Sequence, residues 1–513
     1  MKNLLFALIT LLILISFTKV KAQFNNNFWA FGDSALISWD SSGIPTSSSS
    51  AHTFRNGSAC ISDSNGILLY TGYNYYLSPV RPSIWNKYHI DITDTGKIYG
   101  GLWYHSSLFV PDPVNDSIVY LFTIGVTPAS VFGLYSSVIN YKANNDSGVV
   151  LQKNFQWNNF PAFDGLMGVR HGNGRDWWVV SQIYSTSFTP FNSFYLFQIT
   201  PQGIALPIIQ NAGSFRKTGG GHLIFNSLGT QFAQVSWMGM IELYNFDRCN
   251  GTITSTIPIE QEPLSAPYPN TFVSCAFSPD DTKLYVVNYS QNSNPSYLWQ
   301  FDLTAANISS SKLVIDSFID PNMGVSQLKL APDGKIYLSA TDEGFPWPYP
   351  DTITAFTTIN NNLSVINHPD SLGAACDFQP FSFYLGGART YYGLPNNPDY
   401  ELGAWVGSPC DTLTVGLSPN PGDPSPSEER GAWMQAWYNP EWNMIHVNAS
   451  KLKGKSGVLR LFDVEGRVVY ERQVDVVAGG YFTTEIGMQG IAKGMYIVNL
   501  LTEKEYLSGK VMK

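Results

Sequence analysis

The feature that most constrains this chain is a repeat. Six times a turn signal leads into a short apolar run. Asp63-Ser64-Asn65-Gly66 precedes Ile67-Leu68-Leu69-Tyr70, Asn115-Asp116 precedes Ile118-Val119-Tyr120, and Asn173-Gly174-Arg175-Asp176 precedes Trp177-Trp178-Val179-Val180. Leu228-Gly229-Thr230, Pro279-Asp280-Asp281 and Pro332-Asp333-Gly334 do the same before Phe232, Tyr285 and Tyr337. Anchored on Tyr70, Tyr120, Trp178, Phe232, Tyr285 and Tyr337, the spacing is roughly 50 to 58 residues, the length of one unit in a radial β-array. Alternating runs such as Phe194-Tyr195-Leu196-Phe197-Gln198-Ile199 supply further strands within a unit. A unit of three or four strands cannot bury both faces alone, and stacking units around an axis does so. The span of about 377 residues from 24 to 400 holds about seven such units. The expected fold class is therefore all-β, a seven-bladed β-propeller. Its seventh blade would be shared between the chain ends, with Phe28-Trp29-Ala30-Phe31 and Ile37-Ser38-Trp39 joined by Phe381-Ser382-Phe383-Tyr384-Leu385. A series of β-sandwiches is the rival, but it needs no regular period.

Composition agrees. Charged residues are 13% and aromatics 14%, with 44 Gly and 31 Pro in 513 residues, which favours short strands and tight turns over long helices. The net charge of -9 argues against nucleic acid as a partner, because phosphate binding needs a basic face. The Asp-rich turns lack the spacing of a calcium loop and read as turns whose side chains bond their own backbone.

The chain starts Met1-Lys2-Asn3, continues with an apolar run from Leu4 to Phe17, and reaches Val20-Lys21-Ala22, a signal-peptide pattern with Gln23 as the first mature residue. No second apolar run is long enough for a transmembrane segment in the mature chain. Export places the five cysteines in an oxidising compartment, with an odd one left over. Cys249 with Cys275 and Cys376 with Cys410 are the pairs close in sequence, against unpaired buried thiols as the alternative.

Beyond about residue 402 the composition changes. Pro419 to Arg430 is linker-like, and short strand patterns separated by Gly-containing turns fill the last eighty or so residues as a small C-terminal β-sandwich. The expected organisation is a signal peptide at 1–22, the propeller at 23–402, a linker at 403–430 and the sandwich at 431–513, with its motif beginning near 417.

No chemistry is signalled. There is no Gly-x-Ser-x-Gly elbow and no His-Glu-x-x-His, and the seven histidines are dispersed. No catalytic residue, metal ligand or cofactor is assigned. The candidate binding residues are His171, Arg175 and Asp176, which would sit at a propeller mouth or tie a blade turn. Phe345, Trp347 and Tyr349 join them, set among prolines that keep this stretch out of a central strand. Trp85, Trp103, Tyr104, Trp157 and Trp237 could line a carbohydrate or peptide surface or pack between blades.

Two resemblances extend this reading. Phe28-Trp29-Ala30-Phe31-Gly32, Gly57-Ser58-Ala59-Cys60-Ile61-Ser62-Asp63, Arg170-His171-Gly172-Asn173-Gly174-Arg175-Asp176-Trp177-Trp178 and Leu330-Ala331-Pro332-Asp333-Gly334 resemble stretches of large secreted propeller-type proteins of Bacteroidota. Leu417-Ser418-Pro419-Asn420-Pro421, Asp463-Val464-Glu465-Gly466-Arg467, Gly494-Met495-Tyr496 and Gly509-Lys510-Val511-Met512-Lys513 resemble the type A sorting domain of the type IX secretion system. That resemblance assigns Pro419, Asn420, Pro421, Asp463, Gly466, Arg467, Gly494, Tyr496 and Lys510 to the sorting motif. It implies the secretion translocon and its sortase-like processing machinery as partners. It also implies passage through the periplasm to the outer-membrane cell surface or the medium. The expected function is a secreted binding or interaction protein with a glycan or protein ligand. The alternative is an extracellular hydrolase or lyase acting on glycans or lactones at the propeller mouth.

Overall fold

The computed structural model describes residues 24–54, 57–74, 81–93, 97–101, 105–125, 133–158, 165–182, 191–216, 221–261, 271–289, 295–320, 323–342, 356–391, 393–411, 432–439, 443–450, 452–476 and 482–513. The expected signal peptide, Phe345, Trp347 and Tyr349, and Pro419, Asn420 and Pro421 lie outside these residues, as do Trp103 and Tyr104. Among the described residues no helix is long and apolar enough to cross a membrane.

Seven antiparallel sheets precede residue 385 among the described residues. The first holds Phe28–Phe31, Asp33–Trp39 and Pro45–Thr53, and the second Ser58–Asp63, Gly66–Asn74 and Arg81–Asn86. The next five open with Ser107–Pro111, Met167–Arg170, Gly221–Phe225, Thr271–Phe277 and Gly324–Leu330. Each of the six turn signals forms the hairpin between the first and second strands of its sheet. The six anchor residues all fall on second strands and are nearly inaccessible to solvent. The turns form for the expected reason: Asp63 Oδ1 accepts the Asn65 and Gly66 backbone N–H groups at 2.7 and 3.2 Å, and Asp333 Oδ1 accepts that of Lys335.

Packing shows why these strands read as unbroken apolar runs. Trp177 and Val179 point into the core shared by the second, third and fourth sheets, while Trp178 and Val180 point into the core between the fourth and fifth. Leu284 and Val286 likewise face the fifth sheet and Tyr285 and Val287 the seventh. Successive side chains leave opposite faces, and both faces are buried, so period two is hidden under continuous hydrophobicity. The cores run in sequence around the molecule. The last joins the seventh sheet to the first through Tyr337, Leu363 and Val365 against Trp29, Phe31 and Trp39. Trp29 and Tyr337 meet edge to face at 5.9 Å. Every sheet therefore packs on two neighbours, and the array closes on itself as a propeller.

The chain ends meet differently from expectation. Phe378–Tyr384 is the outer strand of the seventh sheet, paired with Asn362–Ile366, and does not join the first. Closure falls instead to the segment after it. Arg389 and Asp33 exchange backbone hydrogen bonds at 2.8 and 3.2 Å, and their side chains form a buried ion pair. The chain then enters the axis of the ring. Leu394 N donates to Gln327 Oε1 of the seventh sheet, and Asn396 Nδ2 to the carbonyls of Ser107 and Leu166 in the third and at the start of the fourth. Asn397 Oδ1 takes the Cys60 N–H of the second sheet, and Tyr400 Oη donates to the Phe109 carbonyl. One short segment touches the innermost strands of several sheets because those strands surround it.

Residues 403–411, expected to belong to the linker, are fastened to the ring. Trp405 N donates to the Gly172 carbonyl, Arg248 to that of Gly403, and Cys249 forms a disulfide with Cys410. Neither sequence-adjacent pairing of cysteines occurs, because Cys60, Cys275 and Cys376 are buried in separate cores. Beyond residue 431, Trp433–Asn439, Met444–Ser450 and Phe482–Gly487 form one sheet, and Val468–Asp475, Ser456–Phe462, Met495–Thr502 and Tyr506–Met512 a second. Ile445, Val447, Leu459, Leu461, Val498 and Leu500 fill the core between them.

Candidate functional site

The structure brings His171, Arg175 and Asp176 together in the hairpin turn between Met167–Arg170 and Trp177–Gln182. Their hydrogen-bonding groups are spent on one another. Arg175 grips Asp176 with two bonds of 2.7 and 3.1 Å, and Asn173 Nδ2 donates to the same carboxylate at 2.9 Å. Asn173 Oδ1 accepts the backbone N–H groups of Arg175 and Asp176. His171 Nδ1 accepts from the Asn173 backbone, which leaves Nε2 to donate to the Cys249 carbonyl at 2.8 Å. Burial lowers the His171 pKa below its ordinary value and favours this neutral form, against the opposing pull of those hydrogen bonds and Asp176. The ring lies flat against Trp178. Gly172 is required at the apex: a Cβ there would lie 2.4 Å from Cys410 Sγ and 3.0 Å from Cys249 Sγ.

Two of the described aromatic candidates pack inside the protein, and Trp237 is half-buried. Trp85 is buried beside Tyr70 and Phe54. Trp157 stacks on Trp437 of the C-terminal sheets at 5.6 Å.

Sequence reading missed a second cluster, on the axis. Four innermost strands, opening the fourth to seventh sheets, and the axial segment line a recess of about 240 Å³. Its walls are largely apolar, with Met167, Val169, Ile224, Phe277, Leu328 and Leu402. Its polar members include Lys329, Asp399, Glu401 and Asn397. Lys329 lies over the Trp29 ring, its Nζ 5.3 Å from the centroid. Among the described residues no carboxylate lies within 4 Å of that ammonium, and no acceptor takes a hydrogen bond from it. Burial lowers the Lys329 pKa to about 8, with Asp399 pulling the other way. Asp399 is exposed at the rim; the protein packed around it still raises its carboxyl above the ordinary value, against the Glu401 N–H it accepts and the nearby Arg170 and Arg248. Those two guanidinium groups hold carbonyl oxygens: Arg170 that of Tyr400 at 2.6 Å, Arg248 those of Arg170, Leu228 and Gly403.

Further along the axis, the imidazoles of His105 and His222 meet edge to face at 3.9 Å. His222 Nδ1 accepts the Cys275 N–H at 3.0 Å and lies 3.0 Å from Ser274 Oγ, while Gln327 reaches His105. Burial lowers both pKa values, that of His222 to about 3, so both rings are neutral. Nothing in the sequence flags Lys329, Asp399 or the two histidines as a group, since they come from distant sheets.

In the C-terminal domain Asp463, Gly466 and Arg467 form one turn. Asp463 Oδ1 accepts the Glu465 and Arg467 N–H groups, its other oxygen pairs with Arg467 at 2.8 Å, and Gly466 adopts a φ of +80°. The Arg467 backbone N–H is the main cause holding the Asp463 carboxyl below its usual range. Tyr496 Oη donates to the Ala492 carbonyl, Gly494 accepts the Lys513 N–H through its own carbonyl, and Lys510 is exposed.

No curated protein matches the chain. Similar solved structures include a protein from Bacteroides fragilis described as a 6-phosphogluconolactonase candidate, 10% identical over 74% of this chain and 99% of that one, with a TM-score of 0.41. A quinonprotein alcohol dehydrogenase-like protein from Bacteroides thetaiotaomicron is 10% identical over 72% and 77%, with a TM-score of 0.36. The β-propeller domain of Cps50 (Swd1) from Myceliophteria thermophila is 8% identical over 61% and 93%, with a TM-score of 0.33. Residues 435–513 match the family described as the secretion system C-terminal sorting domain, and this tail marks the chain for export by the type IX secretion system to the cell surface or beyond.

Proposed function

We propose that the chain is a seven-bladed extracellular propeller that binds a glycan or protein ligand, exported under the address carried by residues 431–513. The observation that carries the export half is the match over 435–513. The binding half is supported by the saturation of the one sequence-visible polar cluster. His171, Arg175 and Asp176 hold a turn beside the Cys249–Cys410 strap, and both His171 ring nitrogens are taken by backbone groups. The hydrolase or lyase reading draws on Asp399 and Glu401, which line one cavity. Both come from a single segment, where two opposed carboxyl groups would be needed to flank a glycosidic bond.

The test uses the full exported chain on glycan and peptide arrays, together with a variant lacking residues 419–513 followed by cell fractionation. Selective retention of one ligand class without turnover, and periplasmic retention of the truncated variant, are expected. Cleavage of a retained glycan would replace the binding reading by the enzymatic one. Normal surface display of the truncated variant would sink the export reading.

A further inference from the structure

We infer that the outer strand of the third sheet, Val149–Asn158, is a dock for the C-terminal domain, so that propeller and tail travel as one body with the sorting turn left outside the contact. A histidine marks the tail's side. In Met444–Ser450, Ile445, Val447 and Ala449 fill the core of the sandwich, so His446 leaves the opposite face. An outward side chain on a small sandwich meets water unless something covers it, yet His446 is 1% exposed. Its cover is Trp437, the cross-strand partner stacked on it at 5.3 Å, and Phe155 of the propeller, edge to face at 5.9 Å. Trp437 in turn stacks on Trp157 at 5.6 Å and meets Phe155 at 6.0 Å.

The propeller's side differs from its counterparts in the other sheets. The outer strands Ile208–Arg216, Thr252–Glu260, Leu313–Phe318 and Phe378–Tyr384 each expose several side chains to water. Val149–Asn158 exposes none of its described side chains, and Phe155 and Trp157 are buried. A bulge between Gln152 and Phe155, with Asn154 at a φ of +55°, bends the strand just before these two rings. Asn154 is held there by the Tyr99 N–H it accepts and the Lys97 carbonyl it donates to. The seam continues beyond the aromatic stack: Tyr120 and Ile204 of the propeller and Asn448 and Phe482 of the tail border one recess of about 40 Å³. These tail residues belong to the sheet of Trp433–Asn439, Met444–Ser450 and Phe482–Gly487. The Asp463–Arg467 turn and Lys510 belong to the other sheet, with Arg467 and Lys510 exposed, so docking leaves them readable. The contact does not depend on the ligand proposed above.

The experiment labels the histidines of the full chain, tail attached, with diethyl pyrocarbonate and reads each site by peptide mass spectrometry. Exposed His368 is the internal reference, and His222, buried on the axis, reports an intact propeller. In the unmodified chain, which needs no variant to fold, His446 is expected to react about tenfold more slowly than His368. The double variant Phe155→Ala, Trp157→Ala changes the propeller alone. It is expected to speed His446 labelling about tenfold, with His222 still unreactive, while Trp157→Phe keeps His446 protected. His446 as reactive as His368 in the unmodified chain would overturn the inference. So would a His446 that stays protected in the double variant while His222 remains unreactive.

Discussion

Two polar clusters sit on this ring and differ in what their charges do. In the Gly172 turn, Arg175 and Asp176 close on each other at 2.7 Å, and His171 spends both ring nitrogens on backbone groups. On the axis, Asp399 is exposed and accepts the Glu401 N–H, while among the described residues no acceptor takes a hydrogen bond from the half-buried Lys329. The first arrangement stabilises: it ties a hairpin, a neighbouring turn and the returning chain into one unit. The second leaves one ammonium half-buried against the Trp29 ring beside an apolar recess, an arrangement that costs stability. Charge clusters are thus informative through what they leave unsatisfied.

The largest effect should come from the strap that the saturated cluster supports. Replacing Cys249 and Cys410 by Ser removes a closure across 161 residues of sequence, and the unfolding free energy in denaturant titration should fall by about 2–5 kcal/mol. An unchanged midpoint would detach the turn from stability. Asp176→Asn should cost about 1.5–3 kcal/mol, since a buried carboxylate loses charge-assisted bonds to Arg175 and Asn173. It should leave ligand retention intact, whereas lost binding in a folded variant would make this turn a recognition site.

Lys329→Met should move stability the other way. With a folded-state pKa near 8 against the ordinary 10.5, the unfolded chain holds the extra proton between those values, so wild-type stability rises with pH across that window. The variant should lack this rise and be more stable at pH 7, on the order of 2 kcal/mol by thermal or chemical unfolding. Destabilisation would show that the ammonium is already paired. The smallest expected effect is acidic. His52, His105, His171 and His222 all have lowered pKa values, chiefly through burial, so the folded protein resists protonation that the unfolded chain accepts. Their contribution is intact above the ordinary value of about 6.5 and is lost as pH falls below it. Scanning calorimetry should show the melting temperature dropping by roughly 5 °C between pH 7 and 5. A flat profile would mean that these rings are protonated in place.

The repeat was legible because each hairpin is local. Asp63, Asp280 and Asp333 bond backbone groups within a few residues, so turn and following strand are written together. The tail was legible for the same reason, its Asp463–Arg467 turn being a contiguous motif. His171 was legible as a cluster, but its role was not, because the partner that fixes it is the Cys249 carbonyl, 78 residues away. The path of residues 389–411 was illegible altogether: it is irregular backbone, and its hydrogen bonds run to groups as far as 372 residues distant.

The sequence by itself determined the strand-and-turn grammar, the all-β class and the exported tail. Each is set by contacts between near neighbours or by a contiguous pattern. Only the tertiary structure decided the disulfide, the closure through Arg389 and the cavity holding Lys329 and Asp399. Those depend on where several sheets converge, and convergence is a property of the closed ring that no single stretch of chain encodes.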